Sequence, residues 1–253
     1  MKTANAKIVL IAGALGLAGA TAAMGQGKIV VANDEWTLSD HGFAQAPATG
    51  AFVSNVTGFF AGGGSGSFLA YSSNFGLTGS TLAQTMGSLG HSWTVSTGVA
   101  FDLPTLSQYD GVFVGGRVNG ADPDPGVLLD YVLGGGSVYL AAGSMSTGGY
   151  TNAAQEAGAW NPLLNHFGLA LQSSGYNGLT GVIPIAQQTG VFAGVDALFQ
   201  QNGQDILVTT PSDFLSLVNP RVPGAGLYAV VVPAPGAAAA LALGGLGLVR
   251  RRR

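Results

Sequence analysis

Apolar runs of strand length alternate with segments of helical periodicity along most of this chain. A first strand is predicted at residues 28–33, and the following segment, 51–60, places its apolar side chains on one face of a helix. A glycine-rich turn at 62–66 then leads to a second strand at 68–71. This alternation of strands and helices predicts βαβ units and a parallel sheet.

The next unit is the clearest of the series. Ser80 is the predicted N-cap of a helix that turns Leu82, Met86 and Leu89 inward, and a strand at 93–95 follows it. Because a helix of this length can return the chain along the sheet, the pattern favours a right-handed crossover between parallel strands.

Two further buried strands are predicted at 109–116 and 138–142, with a helix at 127–133 between them. Their runs are continuously apolar, which indicates strands covered on both faces. The predicted fold class is therefore α/β, with a doubly wound, mostly parallel sheet in a three-layer sandwich. The rest is less regular, with a helix at 153–167 that Pro162 interrupts and strands at 169–172, 182–185, 206–209 and 227–232.

The first residues have the order of a secretory signal peptide. Lys2 and Lys7 precede an apolar stretch at 8–18, and small residues follow it. We therefore expect residues 1–25 to be a signal peptide and the protein to be exported.

The last residues predict a short membrane anchor. An apolar run at 237–249 is followed by four arginines: Arg250, Arg251, Arg252 and Arg253. A helix of this length, at about 1.5 Å per residue, falls short of the roughly 30 Å bilayer core. The arginines would stay on the cytoplasmic side because moving them through hydrocarbon is costly. We therefore predict a tail at 232–253 that contains an apolar C-terminal helix.

The intervening residues, 26–231, are enough for one domain. The chain has no cysteine, which excludes disulfides, thiolate metal sites and a cysteine nucleophile. Charged residues make up only 8% of it, and four of its nine cations lie in the tail. The domain therefore lacks a basic patch, and we expect no nucleic-acid partner.

The tail resembles the PEP-CTERM sorting signals, which combine a Pro-containing motif, an apolar helix rich in small residues and a terminal basic cluster. Pro233, Ala234 and Pro235 stand where that family usually has Pro-Glu-Pro. The resemblance implies bacterial export machinery, signal peptidase and an exosortase-type sorting enzyme as partners. It also implies that the tail holds the protein at the inner membrane at least transiently, before it reaches the cell surface or the extracellular matrix.

A second resemblance covers about residues 68–207. The segments FLAYSS, LGHSWTV, YDGVFVGG, LLDYVLGGGSVYLAAGS, WNPLLNHFGL and VFAGVDALFQQNGQDIL follow one another as in the class I glutamine-amidotransferase-like superfamily, including its ThuA-type members. This implies a flavodoxin-like fold. Amidotransferases of that group need a cysteine at the nucleophile elbow and a later His-x-Glu. This chain has Gly143-Ser144 at the elbow and no His-x-Glu, which excludes glutamine hydrolysis by that route.

Ser144 is the candidate nucleophile at the elbow, and it would need a histidine base. His41 and His166 are the candidate bases, although the sequence favours a solvated loop position for His41 and a helix-terminal position for His166. His91 begins a strand, so we expect it at the opposite end of the sheet.

A small-molecule site would lie beyond the carboxyl ends of the parallel strands. Six residues are expected there: Asn74, Gly115, Gly116, Arg117, Gly143 and Ser144. Arg117 could hold a carboxylate or phosphate, or pair with Asp122 or Asp124 in its own loop. Those two aspartates supply too few oxygens for calcium, and we predict no metal and no cofactor.

Asp34 and Glu35 follow the first strand beside Trp36 and could form an acid/base couple for sugar chemistry. Adjacent side chains in an extended segment point apart, so we expect both to be solvated.

Two functional classes remain. The first is an exported, envelope-sorted protein whose degenerate amidotransferase-like domain has a structural or binding role, with polysaccharide or other matrix components as its ligands. The second is an envelope hydrolase or carbohydrate-active enzyme that uses the crevice around Ser144. Ionisable residues are scarce and the usual catalytic positions are altered, which favours the first.

Overall fold

The structure is a computed structural model that describes residues 27–232. The predicted signal peptide, the Pro-Ala-Pro motif, the apolar C-terminal helix and the arginine cluster lie outside the described residues. Between residues 27 and 232, none of the helices has the length and apolar character needed to span a bilayer.

The described residues form a mixed α/β fold, which confirms the predicted class. The strands are β1 (Ile29–Ala32), β2 (Ser67–Tyr71), β3 (Ser92–Val95), β4 (Gly111–Val114), β5 (Ser137–Ala141), β6 (Leu169–Leu171), β7 (Thr180–Pro184), β8 (Ala197–Gln201), β9 (Ile206–Val208), β10 (Leu215–Val222) and β11 (Ala225–Val231). The α-helices are α1 (Asp40–Gln45), α2 (Thr49–Ala61), α3 (Phe75–Thr78), α4 (Ser80–Ser88), α5 (Leu103–Leu106), α6 (Pro125–Leu133) and α7 (Ala153–Leu164).

Nine of these strands form one large sheet, and its first half is parallel. The order there is β3-β2-β4-β5-β1, so that the first strand of the described chain lies beside the fifth. All five carboxyl ends therefore lie along one edge, here called the carboxyl edge. The opposite edge, where these strands begin, is called the amino edge.

The second half of the sheet is antiparallel, which the sequence pattern did not predict. β11 pairs antiparallel with β1, with β9 and with β10, and β6 pairs antiparallel with β9. β7 and β8 form a separate hairpin. The predictions missed β10 because Asn219 and Pro220 interrupt its apolar pattern, and proline is tolerated where no ladder donor is needed.

Alternate side chains of the parallel strands enter two hydrophobic cores, one on each face of the sheet. Ile29 and Val31 of β1 pack in the core that contains Trp160 of α7. Val30 and Ala32 pack in the other core, with Phe52 of α2. Helices thus cover both faces of the parallel half, and its strands are continuously apolar for this reason.

Two local expectations were wrong. The N-cap of α4 is Gly79 rather than Ser80, and the carboxylate of Asp40 accepts hydrogen bonds from the first turn instead, including one of 2.7 Å from the Thr81 amide. Pro162 does not interrupt α7, which continues to Leu164. A proline in the last turn of a helix removes only one backbone hydrogen bond, so its cost there is limited.

Candidate functional site

The carboxyl edge gathers polar residues from three strand ends. Asp34 and Glu35 follow β1, Asn74 follows β2 by three residues, and Ser144 follows β5. In the parallel part of an α/β sheet these positions converge, and they are where ligands usually bind. Here all four residues are almost completely buried.

Both glutamates of the chain, Glu35 and Glu156, lie in this cluster. Glu156 projects from the first turns of α7 and is fully buried. Its Oε1 accepts hydrogen bonds from the Ser144 amide at 3.0 Å and from Ser144 Oγ at 2.8 Å, and its Oε2 accepts one from the Tyr176 hydroxyl at 3.1 Å. The glutamate that the sequence analysis did not single out is therefore the partner of the candidate nucleophile.

The carboxyl group of Glu156 also binds the backbone of the turn that follows β5. The Ser144 amide donates to its carboxyl group at 3.0 Å, and the adjacent Met145 amide lowers the pKa of that group as well. Met145 has φ of 44°, a left-handed conformation unusual for a side chain of its size. In acyl-transfer enzymes such paired donors stabilise the developing oxyanion. Here an internal carboxyl group takes them.

Glu35 is held by two side chains, one from the loop after β2 and one from the loop after β5. Asn74 Nδ2 donates to Oε2, and Thr147 Oγ1 lies 2.5 Å from Oε1 and also contacts the Ser144 carbonyl oxygen. Thr147 has one hydroxyl proton and faces two oxygens, so it can donate to only one of them. A protonated Glu35 satisfies the whole arrangement, because it donates to Thr147 and Thr147 donates to the carbonyl of Ser144.

The electrostatics favour a neutral Glu35 below about pH 7. Burial raises its pKa to about 7, and the hydrogen bonds that the ionised form accepts from Thr147 and Asn74 only partly oppose this. Burial also raises the pKa of Asp34 to about 7 and that of Glu156 above its ordinary value. The cluster therefore holds less negative charge near neutral pH than three free carboxylates would.

The expected solvation of Asp34 and Glu35 was wrong. The two side chains do point apart, but each enters the protein. Asp34 accepts hydrogen bonds from the amides of Trp36 at 2.7 Å and Gln201 at 2.5 Å, which joins the end of β1 to the end of β8. Asp34 therefore has a positioning role within the fold.

The loop 144–149 packs against the strand ends with no room for side chains between them. A Cβ atom added to Gly116 would lie 2.9 Å from the Gly148 Cα, and one added to Gly148 would lie 2.1 Å from Ser144 Oγ. The Arg117 amide donates to the Gly148 carbonyl at 2.7 Å. The space beyond β4 and β5 is thus filled by the chain itself.

The other predicted ligand-binding residues also have internal partners. Asn74 Oδ1 caps α3 by accepting from the Gly76 amide at 2.8 Å, and the Gly115 carbonyl accepts from Ser72 Oγ at 2.6 Å. A Cβ atom added to Gly143, which has φ of +70°, would lie 2.4 Å from the Asn33 carbonyl oxygen. The expected residues do lie at one edge of the sheet, but their polar groups face one another.

Arg117 is half-buried at this edge. Its Nε lies 3.3 Å from Asp122 Oδ1, so the pairing within its own loop is the one that the structure contains. Within residues 27–232, no group of three or more histidine, aspartate or glutamate side chains is arranged to hold a metal ion.

Among the described residues, the hydroxyl of Ser144 is hydrogen-bonded to Glu156 and not to a histidine. His41 is exposed and packs edge-on against Trp36 and Phe199. His166 is exposed in the short 3-10 helix after α7, and at about 1.5 Å per residue it is roughly 15 Å along the helix axis from Glu156.

His91 lies at the amino edge, as expected from its place at the start of a strand. Its Nδ1 accepts from the Gly66 amide at 3.0 Å, and its Nε2 lies 2.9 Å from Thr57 Oγ1.

Comparisons of the chain with protein-family models, with curated proteins and with solved structures find no match. The functional argument therefore depends on the residues of the carboxyl edge themselves.

The sequence analysis missed Glu156, Thr147 and Tyr176. Glu156 could have been found, because it occupies the apolar face of its helix four residues before Trp160 and seven before Leu163. A carboxylate on such a face must be buried and therefore needs hydrogen-bond partners.

Proposed function

We propose that this protein is an exported, envelope-sorted protein whose α/β domain is non-catalytic and has a structural or binding role at the cell surface or in the extracellular matrix. The domain would be a degenerate amidotransferase-like, flavodoxin-like sandwich. The observation that carries this proposal is the filled carboxyl edge: Ser144 is fully buried, and its hydroxyl and amide are both bound to Glu156.

A serine nucleophile must reach its substrate and transfer its proton to a base. Ser144 has no exposed surface, and Glu156, Thr147 and Asn74 form hydrogen bonds within the protein. Closure by glycine-to-backbone contacts makes the region rigid, which suits a domain whose role is to keep its shape outside the cell.

Export and sorting rest on the two ends of the sequence. The proposal assigns residues 1–25 to a signal peptide, 26–231 to the domain and 232–253 to a sorting tail. Signal peptidase, an exosortase-type enzyme and the inner membrane would be its successive partners. Polysaccharide or other matrix components would be the class of ligand for a binding role.

Mass spectrometry of the protein isolated from fractionated cells tests this part. The expected mass lacks the first 22 to 25 residues, and loss of the tail would show sorting rather than simple anchoring. A control in which Arg250–Arg253 are replaced by glutamine should lose membrane retention. A soluble cytosolic protein that keeps both Met1 and Arg253 would contradict the proposal.

A second candidate function, an envelope hydrolase or carbohydrate-active enzyme, is favoured by two observations. Ser144 Oγ lies 2.8 Å from a carboxyl group, and the raised pKa of Glu35, about 7, suits a general acid. Either role would require the loop 144–149 to open. Turnover of esters, amides or glycosides that is lost in both Ser144→Ala and Glu35→Gln would establish this alternative. We expect no turnover that depends on either residue.

A further inference from the structure

A groove lies on the domain beside the point where the described chain ends. One wall belongs to α2 and the other to β10 and β11, and the lining includes Ser54, Gly58, Phe59, Val191, Val230 and Val232. The groove has a volume of about 490 Å³. It continues into a second hollow of about 320 Å³, which shares Val191 and Val230 with it.

The walls of this groove are fixed by hydrogen bonds of the domain. Asn55 Nδ2, on α2, donates to the carbonyls of Val191 at 3.2 Å and Ala193 at 2.8 Å. The Val232 amide donates to the Phe214 carbonyl at 2.8 Å, which keeps the end of β11 beside β10. Such a preformed groove needs little rearrangement to accept an occupant, and this lowers the cost of binding.

The nearest segment that could occupy it is the continuation of the same chain. β11 ends at Val231, Val232 lines the groove with 46% of its surface exposed, and the Pro-containing motif begins at the next residue. A segment tethered so closely has an effective concentration in the millimolar range, so that weak contacts are sufficient. Pro-rich segments also bind apolar grooves lined by aromatic rings at a low entropic cost, and Phe59 supplies such a ring.

We propose that this groove binds residues 233–236 of its own chain and so holds the sorting motif against the domain. An enzyme that recognises the motif would then reach it only when the segment leaves the groove. This consequence rests on the proposed sorting function, whereas the docking itself does not depend on it.

The absence of cysteine from the chain allows a direct test by disulfide cross-linking. The full chain in detergent micelles would carry Ser54→Cys, on the far wall of the groove, together with Ala234→Cys in the motif. The matched control pairs Ala234→Cys with Ser212→Cys, an exposed position that does not line the groove and lies two residues before Phe214, the partner of the Val232 amide. Under mild oxidation we expect an intramolecular disulfide in the first pair, formed about tenfold faster than in the control.

A second pair of variants asks whether the groove itself is responsible. Gly58 lines the groove and has open space around its Cβ position, so Gly58→Phe should fill the groove without a clash. Gly50 on the same helix is equally open but does not line it, which makes Gly50→Phe the control. We expect Gly58→Phe to reduce the cross-linking rate about tenfold and Gly50→Phe to leave it unchanged.

Three outcomes would overturn the docking proposal. Equal rates in the two cysteine pairs would show that the motif samples the surface at random. A rate unaffected by Gly58→Phe would show that the groove is not the binding site. A disulfide-linked dimer in place of the intramolecular product would assign the groove to a second copy of the chain. None of these depends on whether the tail is sorted in the cell.

Discussion

The two edges of the parallel sheet differ in whether their polar groups are buried or lie near solvent. At the carboxyl edge, Glu35 and Glu156 are buried and connected through Thr147 and Ser144. At the amino edge, polar contacts lie near solvent, as where exposed Asp110 accepts a hydrogen bond of 2.8 Å from the Ser67 amide.

The contrast bears on where this protein can interact with other molecules. In α/β sheets the carboxyl edge normally keeps open polar groups for a ligand. Here those groups stabilise the domain instead. The amino edge receives both ends of the described chain, since Ile29 pairs with Val231, and the groove beside Val232 opens there. The amino edge, which in α/β sheets usually carries no ligand site, is thus the one next to both terminal segments.

The largest expected difference between the edges concerns Glu156. Glu156→Ala leaves Ser144 and Tyr176 without their acceptor inside the protein, which should lower the free energy of unfolding by about 3 kcal/mol. Asp110→Ala removes a hydrogen bond at an exposed position and should cost about 0.5 kcal/mol. Urea unfolding of both variants measures this. Similar costs at the two edges would remove the basis of the comparison.

The next effect is a dependence of stability on pH. Glu35 and Asp34 have folded-state pKa values of about 7, above those of the unfolded chain. Their stabilising contribution is therefore complete below about pH 4 and is lost as the pH rises toward 7. We expect each of the two groups to lower the free energy of unfolding by about 2 kcal/mol between pH 5 and pH 8, which corresponds to a melting temperature lower by roughly 5 °C per group.

Glu35→Gln should remove about half of this dependence, because Asp34 remains, and serves as its control. A glutamine amide can donate to Thr147 while its oxygen accepts from Asn74, so the neutral network is preserved. At pH 8 the variant should match or exceed the stability of the parent protein. The pKa values of Asp40 and Asp102 are lowered by hydrogen bonds from neighbouring residues, so their contribution changes only at lower pH. A parent protein that is most stable at pH 8 would contradict the burial argument.

The amino-acid pattern predicts the parallel half of the fold better than the antiparallel half. The apolar runs of β4 and β5 are unbroken because both faces of those strands are covered, and this makes them visible in the sequence. β10 has one partly exposed face and contains Pro220, so its pattern resembles a loop. β10 joins the sheet only by pairing with β11, and this tertiary contact cannot be read from the local sequence pattern.

The same limit applies to the carboxyl edge. Ser144, Asn74 and Gly143 are placed there by the strand that precedes each of them, and the sequence predicts those positions. The bond from Ser144 to Glu156 depends instead on the angle at which α7 returns over the sheet. That angle cannot be predicted from residue spacing or composition. The sequence therefore predicts an open crevice at the carboxyl edge, whereas in the structure this edge is closed.

A smaller effect is expected for the candidate nucleophile. Ser144→Ala removes one hydrogen bond to Glu156 but keeps the one from the amide, so the unfolding free energy should fall by about 1 kcal/mol. Ser88→Ala, on the exposed end of α4, is the matched control and should change it by less than about 0.5 kcal/mol. Thermal unfolding distinguishes the two. A stabilised Ser144→Ala variant would indicate a strained serine of the kind found at active sites.

The smallest effect concerns Arg117, at the mouth of the closed edge. Its ion pair with Asp122 is partly exposed, so Arg117→Gln should change the unfolding free energy by no more than about 0.5 kcal/mol. Arg221→Gln provides the comparison, because Arg221 Nη1 lies 3.1 Å and 3.2 Å from the two oxygens of Asp205, which is largely buried. That variant should cost about 1 kcal/mol. If Arg117→Gln lowers the free energy of unfolding more than Arg221→Gln does, Arg117 contributes to the buried polar network of the carboxyl edge, and that network reaches the protein surface.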